Sequence, residues 1–135
     1  MKKLLLPLLL LLAACDGGGL VADSAVLDFQ SEREQGTRAV VSPGFQAEEG
    51  GMTISGVVTT PCVATAIGGA IEGSGAEVEL KLWSLGGCLT AIDYVRYTAR
   101  ITGLPQGTYT AKVTYDYRGD GGERQELGTA RVRVR

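Results

Sequence analysis

The 135-residue sequence contains no histidine and no asparagine, and it has only three cysteines. Without histidine, a Ser–His or Cys–His nucleophile pair cannot form, and the commonest protein ligand of zinc is missing. Without asparagine, the chain has no acceptor for N-glycosylation. We therefore expect no catalytic residues, no metal and no cofactor, and we predict that the protein is not an enzyme.

Basic residues are also in the minority once the amino-terminal segment is set aside. Lys2 and Lys3 lie in the first 14 residues, so that 11 basic residues face 15 acidic ones in the remaining chain. A net charge near −4 argues against a nucleic-acid partner, which requires a basic surface. It also argues against charge-driven docking on an anionic membrane.

Residues 1–14 have the pattern of a secretory signal. Lys2 and Lys3 precede a leucine-rich stretch over residues 4–12, which is too short to cross a bilayer as a helix. The following Leu-Ala-Ala-Cys at 12–15 resembles the lipobox of bacterial lipoproteins. The resemblance implies cleavage before Cys15, acylation of that cysteine and a location in the bacterial cell envelope. The alternative is an ordinary secreted protein with an incidental cysteine.

Acylation would make the membrane the first partner of the chain. Two or more acyl chains give stable anchoring, whereas a single chain gives marginal binding. Asp16 follows the cysteine and resembles the inner-membrane retention signal of enteric lipoproteins, but not all bacteria use that rule, so inner and outer membrane both stay open. We predict that residues 15–36 form a tether, with room for one short strand or helical turn.

The other two cysteines, Cys62 and Cys88, form an even pair in an exported chain. Such a pair predicts one disulfide, which would close a loop of about 27 residues. The alternative is a free thiol or a thiolate metal site, but no Cys-x-x-Cys motif is present.

From residue 37 onward, short runs rich in valine, threonine, isoleucine and tyrosine alternate with glycine and proline. This composition is typical of an all-β sandwich. Seven runs can be drawn, at about residues 38–42, 52–58, 63–72, 76–84, 93–102, 108–117 and 127–134. We predict a single antiparallel β-sandwich of about seven strands over residues 37–135.

Four of the runs alternate apolar and polar residues, as half-buried strands do. The residues predicted to face the core are Val78, Leu80, Leu82, Val95, Tyr97, Ala99, Ile101, Tyr109, Ala111, Val113, Tyr115, Ala130, Val132 and Val134. We predict that turns over residues 73–75 and 118–122 connect the third run to the fourth and the sixth to the seventh.

The stretch Gly-Leu-Pro-Gln-Gly-Thr-Tyr at 103–109 resembles the tyrosine corner of fibronectin type III domains and a Leu-Pro-x-Gly-x-Tyr segment of prealbumin-like adhesin domains. The resemblance implies an immunoglobulin-like sandwich in which Tyr109 opens a strand and its hydroxyl bonds to the preceding turn. It covers about fifteen residues and implies an architecture without an activity.

Two groups of acidic residues are candidate reactive sites. Glu77 and Glu79 would lie about 6–7 Å apart on one strand face, a separation at which glycosidase carboxylates work, but that face is exposed to solvent. Residues 116–123 offer oxygen ligands and tight glycines that could suit Ca²⁺, but they lack the spacing of an EF-hand loop. We interpret the first as a solvated strand face and the second as a plain glycine-rich turn.

The candidate binding surface comprises Trp83, Arg118 and Asp120. Alternation along the strand places Trp83 on the outward face, where it could bind a partner. Alternatively, it could cap the core and shield Leu85 and Cys88, and we favour this second interpretation. If the second to fourth runs form a meander, both cysteines and the hairpin over residues 118–123 meet at one end, where sandwiches carry binding loops.

Four outward arginines could line one sheet if their strands are neighbours, and they would then suit an acidic partner. They are Arg96, Arg100, Arg131 and Arg133. The simpler interpretation is that they keep the sheet edges soluble.

These observations favour a non-enzymatic binding or assembly module of the cell envelope, with a protein or polysaccharide partner. The alternative is an inhibitor or accessory subunit of an envelope enzyme such as a protease. The sequence names neither the partner nor the membrane.

Overall fold

A computed structural model describes residues 24–36, 38–61, 67–85 and 92–135 of the chain. These residues form eight strands, numbered in chain order: β1 (Val26–Arg33), β2 (Val41–Glu48), β3 (Gly51–Thr60), β4 (Ile67–Ser74), β5 (Glu77–Ser84), β6 (Asp93–Thr102), β7 (Gly107–Asp116) and β8 (Gln125–Val134). No helix within these ranges is long and apolar enough to cross a membrane.

The strands form two four-stranded sheets that pack face to face. Sheet A has the order β1-β6-β3-β2 and sheet B the order β4-β5-β7-β8. The predicted β-sandwich is confirmed, with eight strands instead of about seven. Residues 26–33 lie in the segment predicted as a tether with room for one short strand, and they form the full strand β1, which pairs with β6 along its whole length. The sandwich therefore begins before residue 37.

One strand pair departs from the predicted antiparallel arrangement. β5 and β7 run parallel, with Leu80 beside Val113 and Trp83 beside Asp116. An immunoglobulin sandwich has antiparallel sheets, so this pair is a distinct feature of the chain. The predicted meander of the second to fourth runs is also wrong, because β3 lies in sheet A whereas β4 and β5 lie in sheet B.

The core lies between the sheets and is built from alternate residues of each strand. The largest fully buried side chains of this core are Met52, Ile54, Val78, Leu80, Leu82, Val95, Tyr97, Ile101, Val113 and Val134. The predicted inward faces of β5, β6, β7 and β8 are confirmed, with Ala130 only partly buried. Tyr97 is the largest of these residues, and it fits because Gly56 opposite it has no side chain.

Side chains close both lateral openings between the sheets. On one side, Ser31 of β1 donates to the carbonyl of Ile67 at 3.3 Å and accepts from its amide at 3.1 Å. Phe29 also packs on Gly69 there, where a Cβ would lie 2.6 Å from the ring. On the other side, β2 packs beside β8, where Pro43 lies against Gly128.

The tyrosine corner predicted from residues 103–109 is confirmed. The hydroxyl of Tyr109 donates to the carbonyl of Pro105 at 2.6 Å. Leu104 is buried in the same corner, and its amide donates to the carbonyl of Gly50 at 3.0 Å. Gly103 has a φ of 77°, and a Cβ there would lie 2.2 Å from the carbonyl oxygen of Ser24, so only glycine suits that position.

Candidate functional site

Several strands begin or end at one end of the sandwich, which we call the loop end. Thr60 at the end of β3 pairs with Asp93 at the start of β6, and Ile67 at the start of β4 pairs with Ser84 at the end of β5. The hairpin that follows Asp116 lies at the same end, because β7 runs parallel to β5. The predicted gathering of these strand ends is confirmed, although the strand order that suggested it is wrong.

Cys62 and Cys88 lie outside the described residues, as do Cys15 and the rest of the signal and lipobox. The strand ends that flank the two cysteine-containing connections, Thr60 and Ser84, both lie at the loop end. The disulfide itself stays a prediction.

The β7–β8 hairpin is held by Asp116, a residue that is only 2% exposed. Its Oδ1 accepts from the amide of Gly119 at 2.9 Å, and its Oδ2 accepts from the amide of Gly121 at 2.8 Å. Both glycines have positive φ, 68° and 77°, which turns their amides toward the carboxylate. Each oxygen of the carboxylate thus accepts a hydrogen bond from a backbone amide of the loop, and these two bonds fix the conformation of the loop.

The environment of Asp116 favours its charged form. Burial raises the pKa of this carboxyl. The hydrogen bonds from the amides of Gly121 and Gly119 and the positive charge of Arg124 together lower the pKa by more, so that it lies below its ordinary value. The clamp is therefore formed by a carboxylate at neutral pH. In the described part of the chain, no three acidic or cysteine side chains are placed to hold a metal ion.

Arg124 fastens the other arm of the hairpin. Its Nη2 donates to the carbonyl of Leu82 at 2.7 Å, and its Nε donates to the hydroxyl of Thr114 at 3.1 Å. These contacts join the base of the loop to β5 and β7, at the point where the register of β7 and β8 shifts. The hairpin is consequently anchored at both arms.

The anchored hairpin and the two strand ends that it joins line a groove of about 480 Å³. The lining residues are Tyr115, Tyr117, Arg118, Asp120, Gly122, Glu123, Arg124 and Gln125. Tyr117 is 39% exposed and packs edge-to-face on Tyr115, with ring centroids 6.2 Å apart. The structure thus brings the predicted binding residues Arg118 and Asp120 to one surface, beside an exposed aromatic ring.

Trp83, the third predicted binding residue, does not line this groove. It lies on the outer face of sheet B, where its indole covers Gly68 so closely that a Cβ there would lie 2.2 Å from Cε2. Its outward position is confirmed. The favoured interpretation as a cap that shields Leu85 is wrong, because Leu85 is 47% exposed and the indole packs on Gly68; the part that concerns Cys88 lies outside the described residues.

The outer face of sheet B carries a chain of alternating charges. The Nζ of Lys81 lies 2.7 Å from Oε2 of Glu72 and 3.7 Å from Oε2 of Glu79, and the Nζ of Lys112 lies 3.2 Å from Oε1 of Glu79. The hydrogen bond that Lys81 donates to Glu72 is the main reason that the pKa of Lys81 is raised. Glu79 therefore lies between two ammonium groups, as expected of a solvated strand face.

The four outward arginines do not share a sheet. Arg96 and Arg100 belong to sheet A, where Arg96 pairs with Glu34 at 2.6 Å and Arg100 pairs with Glu48 at 3.2 Å. The other two, on β8, belong to sheet B. The hypothesis of one arginine-lined sheet is therefore wrong.

Sequence reasoning missed a buried carboxylate at the loop end. Asp93 is 1% exposed, and its Oδ1 accepts from the amide of Tyr94 at 2.9 Å, whereas the Nε of Arg33 lies 3.0 Å from Oδ2. The ion pair joins β1 to β6. The sequence did contain a signal for it. Asp93 lies two positions before the inward residue Val95, and side chains two positions apart on a strand face the same side of the sheet.

No protein-family model matches the chain, and neither the curated proteins nor the solved structures that were compared contain a match.

Proposed function

We propose that the protein is a lipid-anchored β-sandwich of the bacterial cell envelope that binds a protein or polysaccharide partner through its loop end, without catalysis. The anchor is supported by residues 1–15, a basic and leucine-rich leader that ends in Leu-Ala-Ala-Cys. The scaffold is supported by the two packed sheets.

The observation that carries the binding proposal is the clamp of Asp116 on the β7–β8 hairpin. The carboxylate and Arg124 fix the loop before any partner arrives, so that little conformational entropy would be lost on binding. The fixed loop exposes Tyr117, Arg118 and Asp120, which supply an aromatic ring and both signs of charge. Aromatic and arginine side chains dominate the energetics of protein interfaces.

A non-catalytic role is supported by the composition and by the acidic groups. The chain has no histidine to act as a base at neutral pH. Of the two acidic residues weighed as a catalytic pair, Glu79 is paired with lysines and Glu77 is exposed. Such carboxylates lack the buried, apolar surroundings that tune a general acid.

Capture of partners from solubilised envelopes tests the proposal. The wild-type chain, an Arg118→Ala/Asp120→Ala variant and an Arg131→Ala/Arg133→Ala control would each be immobilised and the bound proteins and glycans identified. We expect a wild-type partner that the control retains and the loop variant loses. If no partner is recovered and the chain hydrolyses an envelope substrate, the proposal is wrong.

The anchor is tested separately through Cys15. We expect Cys15→Ala to abolish acylation and to leave the protein uncut or soluble, as read by mass spectrometry of the mature chain and by membrane fractionation. An unmodified mature amino terminus at another residue would contradict the anchor and leave the loop-end proposal standing.

The rigid exposure of the same hairpin also suits an inhibitor or accessory subunit of an envelope protease. An inhibitory loop gains affinity from being held in one conformation, as residues 117–123 are. Titration of envelope proteases with the chain distinguishes this role, because an inhibitor gives a stoichiometric end point whereas a plain binding module leaves the activity unchanged.

A further inference from the structure

The sandwich has four edge strands, and they differ in how they are protected. An edge strand offers unpaired amides and carbonyls, and natural proteins usually block it with proline, charge or a bulge. β2 contains a proline, Pro43, and its register with β3 is irregular. β8 has a register shift and also carries two arginines. β1 carries three charged residues, Asp28, Glu32 and Arg33. β4 has a single charged residue, no proline, and eight consecutive pairs with β5 without a shift.

Two observations show which groups of β4 face the free edge. Ser31 binds both the amide and the carbonyl of Ile67, so these groups point away from β5. At the other end, the two-residue hairpin turn requires Ser74 to bond toward its partner Glu77. By alternation, the amides and carbonyls of Gly69, Ile71 and Gly73 face outward, and they have no partner in the described part of the chain.

We propose that this free edge pairs with β4 of a second copy of the chain. An antiparallel pairing centred on Ile71 places Gly69 opposite Gly73 of the second copy, and it allows about six interchain backbone hydrogen bonds. The small residues leave room for the incoming strand. The result is an isologous dimer in which sheet B continues from one copy into the other.

The charges on the outer face suit this arrangement. In the pairing, Ala70 lies between Lys81 of its own sheet and Glu72 of the second copy. The methyl group of Ala70 is too small to separate them, so the Lys81 ammonium can donate across the interface. Lys81 binds its own Glu72 at 2.7 Å and lies 3.7 Å from Glu79, so that one of its three N–H donors remains for a third carboxylate.

Sedimentation of the full chain in a density-matched mild detergent tests the proposal. Three proteins would be compared over about a hundredfold range of concentration: wild type, Ile71→Ala and Ile71→Pro. Proline removes the outward amide and leaves the β5 ladder intact, whereas alanine shortens the side chain and keeps the amide. Non-reducing electrophoresis would identify any covalent dimers.

We expect wild type and Ile71→Ala to show a reversible monomer–dimer equilibrium, and Ile71→Pro to raise the dissociation constant at least tenfold, or about 1.4 kcal/mol. A wild-type chain that stays monomeric throughout, or a proline variant that dimerises as strongly as the alanine variant, would overturn the proposal.

Hydrogen exchange gives a second measurement that does not depend on the proline variant folding. In the wild-type chain, the amides of Gly69, Ile71 and Gly73 should exchange more slowly at high protein concentration. The amides of Gly68 and Ala70, which face β5, should be unaffected. Equal exchange of the outward amides at all concentrations would also overturn the proposal.

Discussion

The hydroxyl of Tyr115, on β7, donates a hydrogen bond to the carbonyl of Thr59, on β3, at 2.8 Å. The two strands belong to different sheets, so this bond crosses the sandwich directly below the loop end. The tyrosine ring also supports Tyr117. One side chain thus connects the packing of the sheets to the position of the candidate binding surface.

Tyr115→Phe should reduce stability by about 0.5–1.5 kcal/mol, because the carbonyl of Thr59 loses its donor while the ring still packs. Urea denaturation would measure the loss. Tyr117→Phe is the matched control, since its ring is exposed and its change should lie within about 0.5 kcal/mol of wild type. Equal losses in the two variants would show that the cross-sheet bond contributes nothing.

Tyr109→Ala should destabilise the chain by about 3 kcal/mol or more, because a buried aromatic ring is removed from the corner. Tyr109→Phe removes only the bond to Pro105 and should cost about 0.5–1.5 kcal/mol. Chemical denaturation separates the two contributions. A loss below about 1 kcal/mol in the alanine variant would contradict the packing of this ring.

Asp116→Ala should destabilise the hairpin by about 1–3 kcal/mol, since the amides of Gly119 and Gly121 lose their acceptor. The effect should depend on pH. Because the folded pKa is lowered, the carboxylate's contribution is complete above the unfolded pKa of about 3.9 and is lost as pH falls through the lower folded pKa.

Wild type and Asp116→Ala should therefore differ in denaturation midpoint near neutral pH and converge in strong acid. Glu49→Ala, at an exposed acidic position in the β2–β3 turn, is a control with no such clamp. A difference that grows as the pH falls would contradict the clamp.

Gly68→Ala should cost about 1–3 kcal/mol, because the new Cβ would collide with the indole of Trp83. Trp83 is the only tryptophan, so its fluorescence reports the displacement directly. Gly44→Ala is the control, since its Cβ would have no neighbour closer than 3.9 Å, and it should stay within about 1 kcal/mol of wild type. An unchanged spectrum in Gly68→Ala would contradict the stacking.

Reduction of the proposed Cys62–Cys88 bond should cost about 3 kcal/mol, on the chain-entropy account of loop closure. We expect the bond to be intramolecular and chemically inert, and thermal denaturation with and without reductant would measure its contribution. Thiol counting on the unfolded, unreduced protein is decisive. Two free thiols in envelope-purified material would exclude the disulfide.

The core could be predicted from the sequence because side chains alternate across a strand with a period of two. That rule placed Val78, Val95 and Val113 inward without any knowledge of strand order. It also holds in β1, where Leu27 and Phe29 are the inward residues, but the neighbouring charges made the segment resemble a tether.

Strand order could not be predicted, because no local pattern shows whether a connection turns back within its sheet or crosses to the other. The connection after Thr60 crosses to sheet B. The Asp116 clamp was equally hidden, since it depends on the positive φ of Gly119 and Gly121 and not on residue type alone.

The parallel β5–β7 pair has a kinetic consequence. Between these strands the chain forms β6, which belongs to sheet A, so neither sheet can be completed from one continuous segment. The chain loses conformational entropy in closing these long loops before the stabilising contacts between distant strands can form. We therefore expect folding in the millisecond-to-second range that is typical of β-sandwiches. Both sheets should consequently appear together in a single refolding phase, and a chain that ends after β5 should contain neither.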